Sequence, residues 1–132
     1  MLQAASRGHV DTVSMLLRRG ANLFHQNQEG ESALHLACYH QHMAVCEYLC
    51  EEASQRMKPS MKLSETLEET HGHGLTYLLS LTNTQGETCL FYASRRGNID
   101  IVRYLIQVCT MYMYMYIYCM CVSIYIYLYL LF

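Results

Sequence analysis

The stretch Gly30-Glu31-Ser32-Ala33-Leu34-His35-Leu36-Ala37-Cys38-Tyr39-His40-Gln41-His42-Met43-Ala44-Val45-Cys46-Glu47-Tyr48-Leu49-Cys50 decides the fold. Two short helical patterns flank a polar break, and Cys46, Leu49 and Cys50 stand at i, i+3, i+4, one face of an α-helix. The same pattern occurs three times. Ala4-Ala5-Ser6-Arg7-Gly8-His9-Val10 matches Ala37–Met43 one unit earlier, and Ala93-Ser94-Arg95-Arg96-Gly97-Asn98-Ile99 matches it one unit later. The apolar triplet recurs with it, as Val13, Leu16 and Leu17 and again as Val102, Leu105 and Ile106. Ala4, Ala37 and Ala93 are thus equivalent, and the second interval exceeds the first by the length of an insertion.

Gly8 and Gly97 fall at the break, where a residue tolerant of left-handed backbone ends the first helix of a unit. Asp11 and Asp100, the only aspartates, share one register in the first turn of the second helix. A carboxylate there meets unpaired amides and the positive end of the helix dipole, a gain of roughly 0.3–1 kcal/mol. Asn27-Gln28-Glu29-Gly30-Glu31-Ser32 and Asn83-Thr84-Gln85-Gly86-Glu87-Thr88 are polar, glycine-bearing turns, each ending in a hydroxyl placed to cap the next helix. Turn, helix, break and helix at a period of about 33 residues form a unit that buries its apolar face only by stacking on neighbours.

These units resemble ankyrin repeats. Gly30-Glu31-Ser32-Ala33-Leu34-His35-Leu36-Ala37 matches the family's Gly-x-Thr-Pro-Leu-His-x-Ala signature, and Gly86-Glu87-Thr88-Cys89-Leu90-Phe91-Tyr92-Ala93 matches it less fully. Gly20-Ala21-Asn22-Leu23 is similar to the stretch that leads into the family's next finger. The resemblance covers about residues 1–53 and 75–107. It departs from the family at Ala33 and Cys89, which replace the signature proline, at Gln41, which replaces the break glycine, and at Phe91, which replaces the signature histidine. It implies an all-α solenoid of helix-turn-helix units with short β-turn fingers. The expected organisation is a domain over 1–107 with units at about 1–24, 25–53 and 81–107, an insertion at about 54–75 and a tail over 108–132. The first unit opens inside its first helix, so a stack this short, without polar end-caps, is expected to be marginal on its own.

The resemblance also implies a function. Ankyrin stacks bind protein partners through a concave face of finger tips and first helices. Carried over by register, that face takes Gln28, Glu29, Glu31, Thr84, Gln85 and Glu87 from fingers, and Ser6, Arg7, Tyr39, His40, Arg95 and Arg96 from first helices. Tyr39 among the arginines is the expected anchor, because aromatic and arginine side chains dominate interface energetics. The arginines in turn point to an acidic partner segment. His35, in the signature slot, is expected to hydrogen-bond between adjacent fingers.

Composition bounds the alternatives. The chain has 132 residues, 52% hydrophobic and 15% charged, which is one domain rather than a disordered polymer. A net charge of −2 excludes a broad basic face of the kind nucleic acids need. Seven cysteines are an odd count, and the N-terminus does not read as a secretory leader, so reduced cysteines in the cytoplasm are expected. Cys46 and Cys50, near His40 and His42, have a spacing that puts two thiols on one helix face. Their register matches Val13 and Leu17, however, so they and Cys38 and Cys89 read as small core residues. No nucleophile with an oriented base and no phosphate-binding glycine loop is found. The expectation is therefore no enzyme, no cofactor, no metal and no small-molecule substrate.

Two segments stand outside the repeats. In the insertion, Pro59 is expected to end the preceding helix, 61–70 reads as a short polar helix, and Leu75–Ser80 resumes the repeat register with Leu79 in the place of Leu23. In the tail no charged side chain follows Arg103, and from Met111 tyrosine alternates with Met, Ile, Cys and Leu. Three readings compete: a strand, a membrane segment that would make the chain a tethered adaptor, and the translation of a TA/TG dinucleotide run in a truncated gene-model product. Tyrosine prefers the membrane interface and no basic residue follows, which favours the third and leaves the second open.

Overall fold

The computed structural model describes residues 1–56 and 73–111. The helices are α1 (Leu2–Ser6), α2 (Val10–Arg18), α3 (Ala33–Tyr39), α4 (Met43–Ser54), α5 (His73–Ser80), α6 (Cys89–Arg95) and α7 (Ile99–Met111). First helices stack on first helices in the order α1, α3, α6, and second helices follow as α2, α4, α7. Three helix pairs thus form three layers, with α5 packed against α4.

The break that ends each first helix is built alike in all three layers. The backbone N–H groups of His9, His42 and Asn98 donate back to the carbonyls of Ala4, Ala37 and Ala93, at 3.0, 2.9 and 3.4 Å. The residue before each donor takes a left-handed backbone, with φ of 75° at Gly8, 64° at Gln41 and 71° at Gly97. Gln41 therefore adopts the conformation its register demands, although its side chain opposes it.

The fingers are also alike. Gln26 pairs with Ser32, and Thr82 with Thr88, as single antiparallel bridges at equivalent positions of two units. Inside each turn an asparagine side chain replaces backbone partners. Asn27 Oδ1 accepts from the amides of Glu29 and Glu31 at 3.0 and 2.8 Å, and Asn83 Oδ1 accepts from Gln85 and Glu87 at 2.9 Å each. Gly30, at φ 77°, lies where an added Cβ would come within 2.9 Å of the Asn83–Thr84 backbone. That closeness lets the Thr84 amide donate to the Glu29 carbonyl at 2.9 Å, tying finger to finger.

Both expected caps occupy their positions, but only one forms. Ser32 Oγ accepts from the His35 amide, and the Ser32 amide donates to His35 Nδ1 at 3.2 Å, a reciprocal capping box. Thr88 sits at the same position of α6 without a side-chain cap bond. The residue three places on is Phe91, which has no acceptor to return the contact.

The core is a continuous apolar seam. Val13 and Leu17 enter from α2, Val45, Cys46, Leu49 and Cys50 from α4, and Ile101, Val102 and Leu105 from α7. Ala37 and Ala93 are fully buried, and their small side chains allow the first helices to approach closely. Leu16 differs from its register mates. Leu49 and Leu105 are fully buried, whereas Leu16 is half-buried, because no described layer lies beyond α2.

Leu79 does not take the place of Leu23. Leu23 is buried in the turn after α2, but Leu79 is half-buried on α5, and Leu75, Leu78 and Leu81 are the buried residues of that segment. The run has the helical spacing to lay Leu75 and Leu78 against α4, so it stays helical up to Ser80 and the repeat register returns at Thr82. α7 continues through Met111, with Val108 and Cys109 packed on the core. The expected polar helix at 61–70, Pro59 and residues 112–132 of the tail lie outside the described residues. Among the described residues no helix is long and apolar enough to cross a membrane.

Candidate functional site

The residues assigned to the recognition face fall into two strips. Gln28, Glu29, Thr84 and Gln85 are exposed on finger tips, while Glu31 and Glu87 are half-buried at finger bases. Arg7, Tyr39, His40, Arg95 and Arg96 are exposed at the break ends of α1, α3 and α6. The finger strip carries carboxylates. The break strip carries cations.

Tyr39, 38% exposed, is among the described residues one of three large apolar side chains open to solvent. The Arg96 guanidinium of the next layer lies over its ring, 4.8 Å from the centroid. Tyr92 meets the same ring edge-on at 6.0 Å, and the His40 ring lies edge-on at 5.0 Å. Tyr39 therefore packs against three side chains at once while staying open to solvent. Among the described residues the salt bridges are Arg56–Glu52 and Arg103–Asp100, so no described carboxylate pairs with Arg7, Arg95 or Arg96.

Behind this face a polar network joins the two fingers. Tyr92 Oη donates to Glu31 Oε1 at 2.8 Å, and the Asn83 amide donates to Tyr92 Oη at 3.0 Å and to Glu87 Oε2 at 2.7 Å. Asn27 Nδ2 donates to the other Glu31 oxygen at 3.0 Å. Gln26 Nε2 donates to the Thr82 carbonyl at 2.9 Å. Desolvation pushes the Tyr92 phenol up from its ordinary value, so it stays a donor to Glu31 at neutral pH. Glu31 and Glu87 thus hold the fingers in register, and their neighbours Glu29, Gln28 and Gln85 are exposed on the tips.

His35 is fully buried and bridges layers as expected. Its Nδ1 accepts from the Ser32 amide, which leaves the proton on Nε2 to donate to the Glu87 carbonyl at 3.2 Å. Burial lowers its pKa, partly offset by that carbonyl and by the Glu31 carboxylate. His42 does the corresponding work one layer earlier, with Nε2 3.0 Å from the Ser6 carbonyl. Its ring also stacks on His40.

Sequence reasoning did not single out Tyr92, Asn27 or Asn83. The two asparagines share one register in successive fingers and had a readable turn signal. Tyr92 had none, since its register mate is Leu36.

The cysteines behave as core. Cys38, Cys46, Cys50 and Cys89 are all buried, with Cys38 Sγ 3.8 Å from Cys46 Sγ. Sulfur–sulfur hydrogen bonding pushes the Cys38 thiol up, and burial does the same for Cys50, so both are thiols rather than thiolates. Among the described residues no three His, Cys, Asp or Glu side chains converge as a metal-binding group.

The comparisons with known proteins agree with this fold. A family model described as ankyrin repeats, in three copies, matches residues 1–114. The chain belongs to the ankyrin-repeat family. The human NF-kappa-B inhibitor epsilon is 31% identical to it over 102 residues, covering 75% of this chain and 18% of that protein. A probable E3 ubiquitin-protein ligase, XBOS33, of Oryza sativa subsp. japonica is 44% identical over 46 residues, 35% of this chain and 9% of that protein. The crystal structure of the human ASB11 ankyrin repeat domain superposes with a TM-score of 0.58 at 22% identity, over 81% of this chain and 38% of that one, a likeness of fold. The chain therefore spans less than a fifth of the length of these curated relatives. Ankyrin repeats are protein-interaction modules, and the family is typically non-enzymatic.

Proposed function

We propose that this chain is a recognition module whose protein partner meets the finger tips and the break ends of the first helices. The observation that carries this reading is Tyr39, exposed yet packed against Arg96, Tyr92 and His40, with Arg7 and Arg95 exposed at the break ends of the neighbouring first helices. An aromatic anchor packed against its neighbours loses less entropy on binding than an unpacked one, and exposed arginines supply directional donors. Gln28, Glu29 and Gln85 form the second strip of the contact, on finger bases whose Glu31 and Glu87 carboxylates support it through their bonds to Tyr92, Asn27 and Asn83.

Recognition rather than catalysis fits the chemistry available. The buried thiols are protonated, His35 uses both ring nitrogens for structure, and Asp11 and Asp100 lie exposed in helix first turns. Nothing among them aligns a nucleophile with a base.

A photoreactive residue at Gln28 or Gln85 captures the partner for identification, and the purified partner is then titrated against variants. Tyr39→Ala and Arg95→Ala are each expected to weaken binding at least tenfold, about 1.4 kcal/mol, with unchanged helicity. Full-strength binding by both variants refutes the proposed face.

A further inference from the structure

Arg7, His40 and Arg96 occupy one structural position, the C-cap of α1, α3 and α6. Because those helices stack side by side, the three residues form a row that crosses all three layers. Stacked helices lie about 8–10 Å apart, which sets the spacing of the row. Arg95 and Tyr39 stand beside it, one residue earlier in register. No acidic residue occurs in α1, α3 or α6, so the row's own helices give it no counter-charge. The acidic side chains of the described residues lie on the fingers and second helices instead.

Helix C-termini favour cations on their own account, but that does not explain Arg96. Its guanidinium lies on the Tyr39 ring of the neighbouring layer. Among the described residues no hydrogen bond ties its N–H groups to a carbonyl. An exposed guanidinium whose N–H groups are not committed to a carbonyl can bind a carboxylate through two parallel hydrogen bonds.

We propose that the row Arg7–His40–Arg96 reads an extended acidic protein segment whose carboxylates recur at every third residue. The inference rests on the recognition reading above and adds the partner's chemistry and period. In a polyproline-type conformation, three residues make one turn and advance about 9 Å, so side chains at i, i+3 and i+6 face one side at the spacing of the layers. A β-strand, with period two, would turn every other such carboxylate away.

The test uses the full chain and two fluorescent peptides of equal composition. One is Glu-Pro-Ser repeated three times, and the other has its three glutamates contiguous. The spaced peptide is expected to bind at least fivefold tighter than the contiguous one, and to weaken as salt is raised. Arg7→Glu and Arg96→Glu are each expected to reduce its affinity at least fivefold. Arg19→Glu, at an exposed arginine that caps α2 away from the row, should leave it within twofold. Equal affinity for the two peptides, no binding of the spaced peptide, or insensitivity to both row reversals overturns the proposal. If the identified partner still depends on Tyr39 and Arg95 while the row reversals change nothing, the acidic-segment inference fails alone and the recognition reading stands.

Discussion

The imidazole of His35 shows how a single side chain fixes two layers at once. Nδ1 closes the capping box of α3, and Nε2 reaches the carbonyl of Glu87 in the next finger. The Nδ1 contact requires the neutral ring, which leaves the proton on Nε2 for the second contact, and burial lowers the pKa. The folded value lies below the reference of 6.5, so between the two the unfolded chain binds a proton that the folded chain resists. Stability from this site is complete above about pH 6.5 and is lost as pH falls through the folded value. His35→Gln is expected to cost about 1–3 kcal/mol at pH 7, because it leaves buried polar groups poorly paired. It should also flatten the pH dependence. Urea unfolding at pH 7 and pH 5 measures both, and an unchanged difference between the two pH values would exclude His35 as the source.

At the scale of elements, the break between first and second helix decides how a layer turns back on itself. Layers one and three use glycine there, and layer two uses Gln41 at φ 64°. Left-handed backbone costs a side-chain-bearing residue roughly 1–2 kcal/mol, and the exposed Gln41 gains only a long contact of 3.5 Å from Asn98 in return. Gln41→Gly relieves that strain, while glycine's extra freedom in the unfolded chain offsets part of the gain. The variant is expected to be about 0.5–1 kcal/mol more stable, read as a higher urea midpoint at unchanged slope. A lower midpoint would mean that the glutamine side chain contributes more than its backbone costs. The same comparison of layers accounts for the missing return half of the capping box, since Ser32 has His35 three residues on and Thr88 has Phe91.

Across the whole molecule, what was legible in the sequence was what repeats. The two self-matches, of Ala37–Met43 with Ala4–Val10 and with Ala93–Ile99, located the helix pairs, fingers, breaks and buried cysteines, because each layer meets the same neighbours and so uses the same residue types. The same register located the exposed ends of the first helices, where Arg7, His40 and Arg96 stand. Where neighbours differ, register failed. Leu16 lies half-buried while Leu49 and Leu105 are enclosed, and Leu79 joins a helix where Leu23 makes a turn, because α5 follows the inserted residues and answers to α4. The Tyr92–Glu31 bond joins distant parts of the chain, and Tyr92 stands where the unit before has Leu36, so only the fold reveals it.

The recognition face exists only if the layers share one interior that holds Tyr39 and Arg96 in contact. The direct measurement is urea unfolding of the full chain carrying Leu49→Ala or Leu16→Ala, followed by circular dichroism. With Leu49 enclosed between layers, its truncation is expected to cost about 2–5 kcal/mol or to unfold the chain outright, and Leu16→Ala to cost less than half as much. Equal losses at the two positions, or the larger loss at Leu16, would contradict the stacked arrangement.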